Sequence, residues 1–311
     1  MTNRPSFDVL AVGDLFQDLV MSGFRTWPRA GEESFAHEFH KEIGGGAAIT
    51  ACGLAKLGLR AGIIGVVGES DGQWMLDRLR VHGVSIDGIK TTAAEPTAIA
   101  VSISTTTDRT FLTYNGANRE LPALIERLAF AAQPFRARHV HFAHALDLSF
   151  APRLFEELAN SGLTVSVDVG WHPEWYGDTR AVSALQLADV FFPNEREAEV
   201  MTHETEPRRM LDAFRRMGLK RVAMKRGQSG AALLWDGEIL FQEPGNIEPV
   251  DTTGAGDCFD AGFLYARLTG MDPKACLKVG AVCGEMSARA LGGIAGFPSK
   301  NELDGALCSV R

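Results

Sequence analysis

Short runs rich in β-branched and aromatic residues alternate along the chain with stretches whose apolar positions recur every three or four residues. The runs are Phe7 to Val12, Ala61 to Val67, His139 to Phe142, Thr164 to Val169, Asp189 to Phe192 and Arg221 to Met224. The periodic stretches are Ala47 to Leu57, Gly72 to His82, Pro152 to Asn160, Glu195 to Met201 and Pro207 to Met217. Strand alternating with helix in this way predicts a mostly parallel sheet covered by helices on both faces. Gly58, Gly83, Gly162 and Gly218 follow four of the helical stretches, where a left-handed C-cap is wanted. Two segments break the rhythm: Ser34 to Ile43, and Ala98 to Tyr114 with a turn near Thr107-Asp108. In the second, Ile99, Val101 and Ile103 alternate with smaller or polar neighbours, the pattern of a half-exposed hairpin. Together they predict a small sheet standing off the main one. A tight hairpin is predicted at Asp236-Gly237, between Ala231 to Trp235 and Glu238 to Gln242. The final third turns helical, from Ala255 to Leu268 and from Pro273 to Arg289.

No repeat, low-complexity tract or linker interrupts the 311 residues, so they read as one large α/β domain with an appendage. Hydrophobic residues make up 45% and charged residues 23%, enough apolar matter for a full core and too little charge for a disordered chain. The net charge of −8 argues against a nucleic-acid partner, since phosphate-backbone binding needs a basic face. Five scattered cysteines, Cys52, Cys258, Cys276, Cys283 and Cys308, form no Cys-x-x-Cys pair; they read as buried thiols of a reducing compartment. The apolar run after Thr2, Asn3 and Arg4 is too short for a signal-peptide core or a membrane span, and a cytoplasmic protein is expected.

The segment richest in chemistry is Asp251-Thr252-Thr253-Gly254-Ala255-Gly256-Asp257, placed just before a helical pattern. Small residues at a helix start let backbone N–H groups approach an anion, and the positive end of the helix dipole favours phosphate. A carboxylate within that first turn, Asp257, is aimed at the same point and can take a proton from an attacking hydroxyl. A capped helix whose Asp and Gly merely fit a turn would use the same residue types.

Followed by Cys-Phe-Asp-Ala-Gly-Phe, this segment resembles the C-terminal signature of the ribokinase-like, or PfkB, carbohydrate kinases. Gly44-Gly45-Gly46 leading into Ala51, Leu54, Ala55, Leu57 and Gly58, then Gly65, Val67, Gly68 and Asp71-Gly72, is similar to the N-terminal signature of that family. Two signatures in the right order and spacing are far more specific than one glycine-rich loop. The resemblance implies a ribokinase-like doubly wound α/β fold, a mostly parallel nine-stranded sheet flanked by helices. A small β-sheet lid, formed by about residues 14 to 43 and 95 to 118, completes it. It implies an ATP- and Mg2+-dependent phosphotransferase acting on a small sugar, with Asp257 as base and the N–H groups of Gly254, Ala255 and Gly256 as anion hole. Asn194 and Glu197 match an Asn-x-x-Glu element that orders magnesium, water and nucleotide phosphates, although alone they would read as a helix cap.

Further roles follow from the same resemblance. Lys225, Gly227 and Gly230 fall in the strand-turn-strand that runs beside ATP, with Lys225 equally readable as a solvated edge residue. Asp251 and the Thr253 carbonyl match a K+ site, while Gly296 lacks a hydroxyl common there. On the acceptor side Asp18, Gly44 and Gly45 would grip the sugar, with Asn118 and His172 lining the pocket. Departures at Ile49, Gly170 and His172 warn against naming ribose; ketoses, ribose and keto-deoxy sugar acids all remain. A homodimer paired through the lid is a further family expectation. His139, His141 and His144 suggest a metal at first sight. Their spacing on a strand instead makes them strand-end histidines, with His144 near the substrate. Alternatives are a nucleoside kinase of the same fold and a noncatalytic sugar sensor. A Rossmann dehydrogenase is set aside because no Gly-x-Gly-x-x-Gly/Ala follows the first strand.

Overall fold

The fold is seen in a computed structural model, which describes residues 6–105, 109–129 and 135–309. Thirteen strands are described: β1 (Phe7–Gly13), β2 (Phe16–Phe24), β3 (Glu38–Gly44), β4 (Ala61–Gly68), β5 (Ser85–Thr92), β6 (Ala98–Thr105), β7 (Arg109–Tyr114), β8 (Ala137–Ala143), β9 (Thr164–Val167), β10 (Val190–Phe191), β11 (Arg221–Lys225), β12 (Ala231–Trp235) and β13 (Glu238–Gln242). Nine of them form one sheet in the order β13-β12-β11-β10-β9-β8-β1-β4-β5. From β10 to β5 every neighbour is parallel, and only the β11-β12-β13 end is antiparallel. The mostly parallel sheet is thus as the sequence pattern predicts, and its nine strands are as the family resemblance implies.

Strand β1 shows why both faces are covered. Val9 and Ala11 enter one apolar layer, Leu10 and Val12 the other, and all four are buried. The first layer is closed by helices Gly46–Lys56, Ala255–Leu268 and Pro273–Ser287, the second by Leu121–Ala129, Ala151–Asn160, Thr179–Leu185 and Pro207–Arg216. Gly58, Gly83, Gly162 and Gly218 all take positive φ as C-terminal stops. At the β12–β13 turn, Asp236 (φ 47) and Gly237 (φ 98) adopt the left-handed pair that a two-residue hairpin requires.

The other four strands make the lid, in the order β3-β2-β6-β7. Its central pair, β2 and β6, is parallel, and each outer strand is antiparallel to its neighbour. Three lid strands fall in the two segments that break the rhythm of the chain, and the fourth, β2, lies in the 14 to 43 stretch given by the family resemblance. The predicted turn at Thr107-Asp108 lies outside the described residues. Strand β5 was also not expected, because it is an edge strand with mostly solvent-facing positions and no apolar run to betray it. One expectation is corrected: Cys308 is exposed on the helix Lys300–Ser309, whereas Cys52, Cys258, Cys276 and Cys283 are buried. Among the described residues no helix is long and apolar enough to cross a membrane.

Candidate active site

Helix Ala255–Leu268 opens on Gly254, which sits at φ 70. A side chain is excluded there, since a Cβ would come within 2.8 Å of both Gly293 Cα and Ile49 Cδ1. Ile49, 3% exposed, therefore supports the floor of the loop instead of reaching a ligand. The Ala255 N–H bonds back to the Thr252 carbonyl at 3.2 Å, so of the three expected anion-hole amides those of Gly254 and Gly256 are the two not engaged within the turn. Asp251 is buried and accepts from the N–H groups of Thr253 and Gly292, each at 2.9 Å, which fastens this loop to the one preceding Phe297. Gly296 has no room for the hydroxyl-bearing side chain it lacks, because a Cβ would stand 2.4 Å from the Ser287 carbonyl.

Asp257 projects from the first turn of this helix toward Gly46, whose Cβ position is 2.7 Å from Asp257 Oδ1. Burial first, then the Asp168 charge, push the Asp257 carboxyl up to about 7 against the pull of Lys225. One helical turn on, Asp260 is fully buried on the same face. Asp168, after β9, completes a group of three carboxylates whose oxygens lie within 4.8 Å of one another. Lys225 enters this group from the end of β11, with Nζ 2.6 Å from Asp168 Oδ2 and 3.4 Å from Asp260 Oδ1. It is no solvated edge residue: burial would lower its pKa, and Asp168, Asp260 and Glu197 more than reverse that. Its Nζ also lies 3.5 Å from the Cβ position of Gly256, just under the helix opening.

Asn194 and Glu197 form a reciprocal capping box. Asn194 Oδ1 accepts from the Glu197 N–H at 2.9 Å, and Glu197 Oε2 accepts from the Asn194 N–H at 2.8 Å. Glu197 is buried, and burial with the Asp168 charge pushes it up to about 7. A groove of about 680 Å³ runs from Asp168, Glu197 and Gly256 past Gly227 to Ala281 and Gly284. Gly227 (φ 52) faces open space, while Gly230 (φ 85) lies against the Gln242 carbonyl.

Across the crevice the lid presents Asp18, 8% exposed, whose carboxyl is pushed up to about 7 by burial and by the charges of Asp257, Asp251 and Glu42. Gly45 is obligatory there, and Gly44 leaves room for the Asp18 carboxylate. A Cβ at Gly44 would fall 1.9 Å from Asp18 Oδ1, and one at Gly45 2.1 Å from the Asp14 carbonyl. Asn118 is buried and commits both ends of its amide to Leu15: Oδ1 accepts from the Leu15 N–H at 3.1 Å, and Nδ2 donates to the Leu15 carbonyl at 3.2 Å. It braces the turn that carries Asp18 and does not line the pocket. His172 is exposed beside Trp171 and lines a separate cavity with Leu146 and Trp175, near enough to His144 and Asp14 to feel their charges. His139 and His141 are buried strand residues joined through the Ser166 hydroxyl, at 2.7 and 2.8 Å, and His144 pairs with Asp14.

Residues 7–300 match the family described as pfkB family carbohydrate kinase. The chain belongs to that family. It is 29% identical over 300 residues to a 2-dehydro-3-deoxygluconokinase of Bacillus subtilis, covering 91% of this chain and 92% of the other. It is 30% identical over 283 residues to an ATP-dependent ribose-1-phosphate kinase of Halopiger xanaduensis, covering 90% and 91%. Among solved structures it resembles Arabidopsis thaliana ribokinase complexed with ribose and ATP, with a TM-score of 0.83, 25% identity and coverage of 97% and 98%.

Three residues of this carbohydrate kinase's crevice escaped the sequence reading: Asp168, Asp260 and Asp14. Asp260 carried a usable signal, since an ionisable residue between Phe259 and Phe263 on a core helix, three positions after Asp257, shares that residue's face. Asp168 and Asp14 sit at strand ends, where only the sheet order brings them to the crevice.

Proposed function

We propose that this carbohydrate kinase transfers the γ-phosphoryl group of ATP to a hydroxyl of a small sugar, with Asp257 as the base. The reading is carried by the convergence of Asp257 Oδ1, the Gly44–Gly46 backbone and the helix opening at Gly254–Gly256 in one crevice. A hydroxyl held against Asp18 and the glycines would lie beside Asp257, which accepts its proton as the oxygen attacks. The amides of Gly254 and Gly256 and the Lys225 ammonium, positioned by Asp168 and Asp260, offset the charge that develops on the transferred group. The nucleotide would occupy the groove beside Gly227 and Gly230, with its base against the small residues Ala281 and Gly284.

Magnesium suits this donor set, because Glu197 and Asp168 are hard oxygen donors at the phosphate end of the groove. Glu197, through water, with Asn194 beside it, would hold the ion. When bound, it neutralises charge on the nucleotide phosphates. A potassium ion beside Asp251 and the Thr253 carbonyl belongs to the same reading, and rates with and without potassium check it. The outer face of the lid supports a homodimer. The strand register places Leu19, Met21, Val101 and Leu112 on the side opposite Asp18, with Leu112 59% and Phe39 57% exposed. Cysteines without disulfides fit a cytoplasmic site.

ADP release over a panel of sugars, sugar acids, sugar phosphates and nucleosides, with ATP and magnesium, tests the reading. Turnover that is lost in Asp257→Asn supports it. An active Asp257→Asn, or ligand binding without turnover of any acceptor, overturns it.

A further inference from the structure

The acceptor end of the crevice lies where the sheet order reverses. From β1 the chain proceeds to β4 and β5 on one side, and β8 begins the march to β13 on the other. Chain segments leaving two such neighbouring strands diverge and open a crevice at their carboxyl ends. The residues that follow β1 and β8, Asp14 and His144, meet across it, with Asp14 Oδ2 2.9 Å from His144 Nδ1. Their side chains are only 22% and 14% exposed. Hydrogen bonding to the carboxylate places the proton on Nδ1 and leaves Nε2 as the ring nitrogen for a ligand. The main chain of Asp14 is fixed as well, its carbonyl lying against Gly45, between Gly44 on Asp18 and Gly46 on Asp257. The pair therefore borders both carboxylates of the acceptor crevice.

The charges that bear on Asp18 are of one sign. Asp18 and Asp257 converge on Gly44 and Gly46, the charges on Asp18 are those of Asp257, Asp251 and Glu42, and the Asp14 carboxylate is held by His144. Cationic side chains of the surrounding elements are engaged elsewhere. Lys41 lies over the Trp74 ring, Arg78 pairs with Glu42, Arg119 with Glu95, and Lys225 with Asp168. Histidines are among the described bases beside the crevice: His144, His172, near enough to feel the charges of His144 and Asp14, and His40, opposite Val20 on the lid face of Asp18.

Resting on the kinase reading above, we infer that His144, oriented by Asp14, is a specificity-determining contact, and that the acceptor is an uncharged polyol and not a sugar acid or sugar phosphate. Neighbouring hydroxyls of such a sugar can bond to the Asp18 carboxylate and to His144 Nε2 together. A carboxylate or phosphoryl group in the same place would face the carboxylates of Asp18 and Asp257, while Lys41, Arg78, Arg119 and Lys225 are held by other partners.

The test pairs neutral sugars (ribose, fructose and a ribonucleoside) with charged ones (2-dehydro-3-deoxygluconate, ribose 1-phosphate and fructose 6-phosphate). Turnover and calorimetric binding are both measured, for the wild type, His144→Ala, His144→Gln and Asp14→Asn. A neutral acceptor should be preferred, and His144→Ala should raise its KM about tenfold or more while the ATP KM stays within about twofold. Asp14→Asn should give a smaller rise, since it acts through the ring. Preference for a charged acceptor, or an unchanged acceptor KM in His144→Ala with ATP binding intact, overturns the proposal and leaves the kinase reading standing. Absence of turnover with every acceptor removes the kinase reading, and the calorimetric arm then still decides the charge of the bound sugar.

Discussion

Lys225 Nζ lies 2.6 Å from Asp168 Oδ2, in a pocket that it shares with the carboxyl of Asp260. The side chains of Lys225, Asp168 and Asp260 are 12%, 10% and 0% exposed. One ammonium thus holds together carboxylates that would otherwise repel one another out of water. Lys225→Met leaves that charge uncompensated and should cost about 3–5 kcal/mol of stability, read from denaturant unfolding. The double variant Lys225→Met/Asp168→Leu should recover part of the loss. A single variant as stable as the wild type would mean that the ammonium is not engaged as described.

On the proposed mechanism Asp257 governs the rate. Asp257→Asn should lower kcat by about two to four orders of magnitude and leave the ATP KM nearly unchanged, because it removes a proton acceptor and little volume. Steady-state kinetics with ATP and acceptor varied in turn decide this.

Because the Asp257 carboxyl is pushed up to about 7, the proposed base is protonated on the acid side of neutrality. The kcat/KM of the wild type should therefore fall as pH drops below about 7, roughly tenfold per pH unit. The same shift has a stability consequence of opposite sense. A folded pKa above the unfolded value of 3.8 means that the folded form binds more protons across that window, so this group's contribution declines as pH rises through about 7. Asp257→Asn should accordingly raise Tm at pH 8 and change it little at pH 4.

The two strand histidines act in the other direction. Burial pushes His139 down to about 3 and His141 down to about 4, so the unfolded chain takes up protons there before the folded one does. Their contribution to stability is present above about pH 6.5 and is lost as pH falls below it. The variant His139→Gln/His141→Gln should therefore lose less Tm than the wild type between pH 7 and pH 5.

Gly44→Ala tests the acceptor crevice without altering any charge. The added methyl falls 1.9 Å from Asp18 Oδ1, so the carboxylate must turn away. The acceptor KM should rise about tenfold or more, with the ATP KM and the circular dichroism spectrum unchanged. An acceptor KM equal to that of the wild type would place Asp18 outside the binding crevice.

The sequence was most informative where one kind of physics dominates. Continuous apolar runs marked the buried strands, three- and four-residue spacing marked the helices, and Gly58, Gly83, Gly162 and Gly218 marked helix ends to the residue. It was least informative where a position is settled by partners far along the chain. Strand β5 needs only one neighbour and shows no pattern, and Asn118 looks like a ligand-binding amide until Leu15 is found beside it. In the crevice, Gly254 and Asp257 were legible from a small-residue helix start with a carboxylate in its first turn, and Gly44 from the family resemblance. Asp168 and Asp14 were not, since an aspartate after a strand is ordinary until the sheet order sets it against Lys225 or His144.

The place of β1 in the sheet also bears on how the chain is made. It pairs with β4 on one side and β8 on the other, and β8 begins only at Ala137. During synthesis the N-terminal strand must wait, with one hydrogen-bonding edge unfilled, until that later strand emerges from the ribosome. Such an open border invites pairing between nascent chains. Protein stalled before residue 137 should therefore aggregate or recruit chaperones, and release past residue 143 should relieve it.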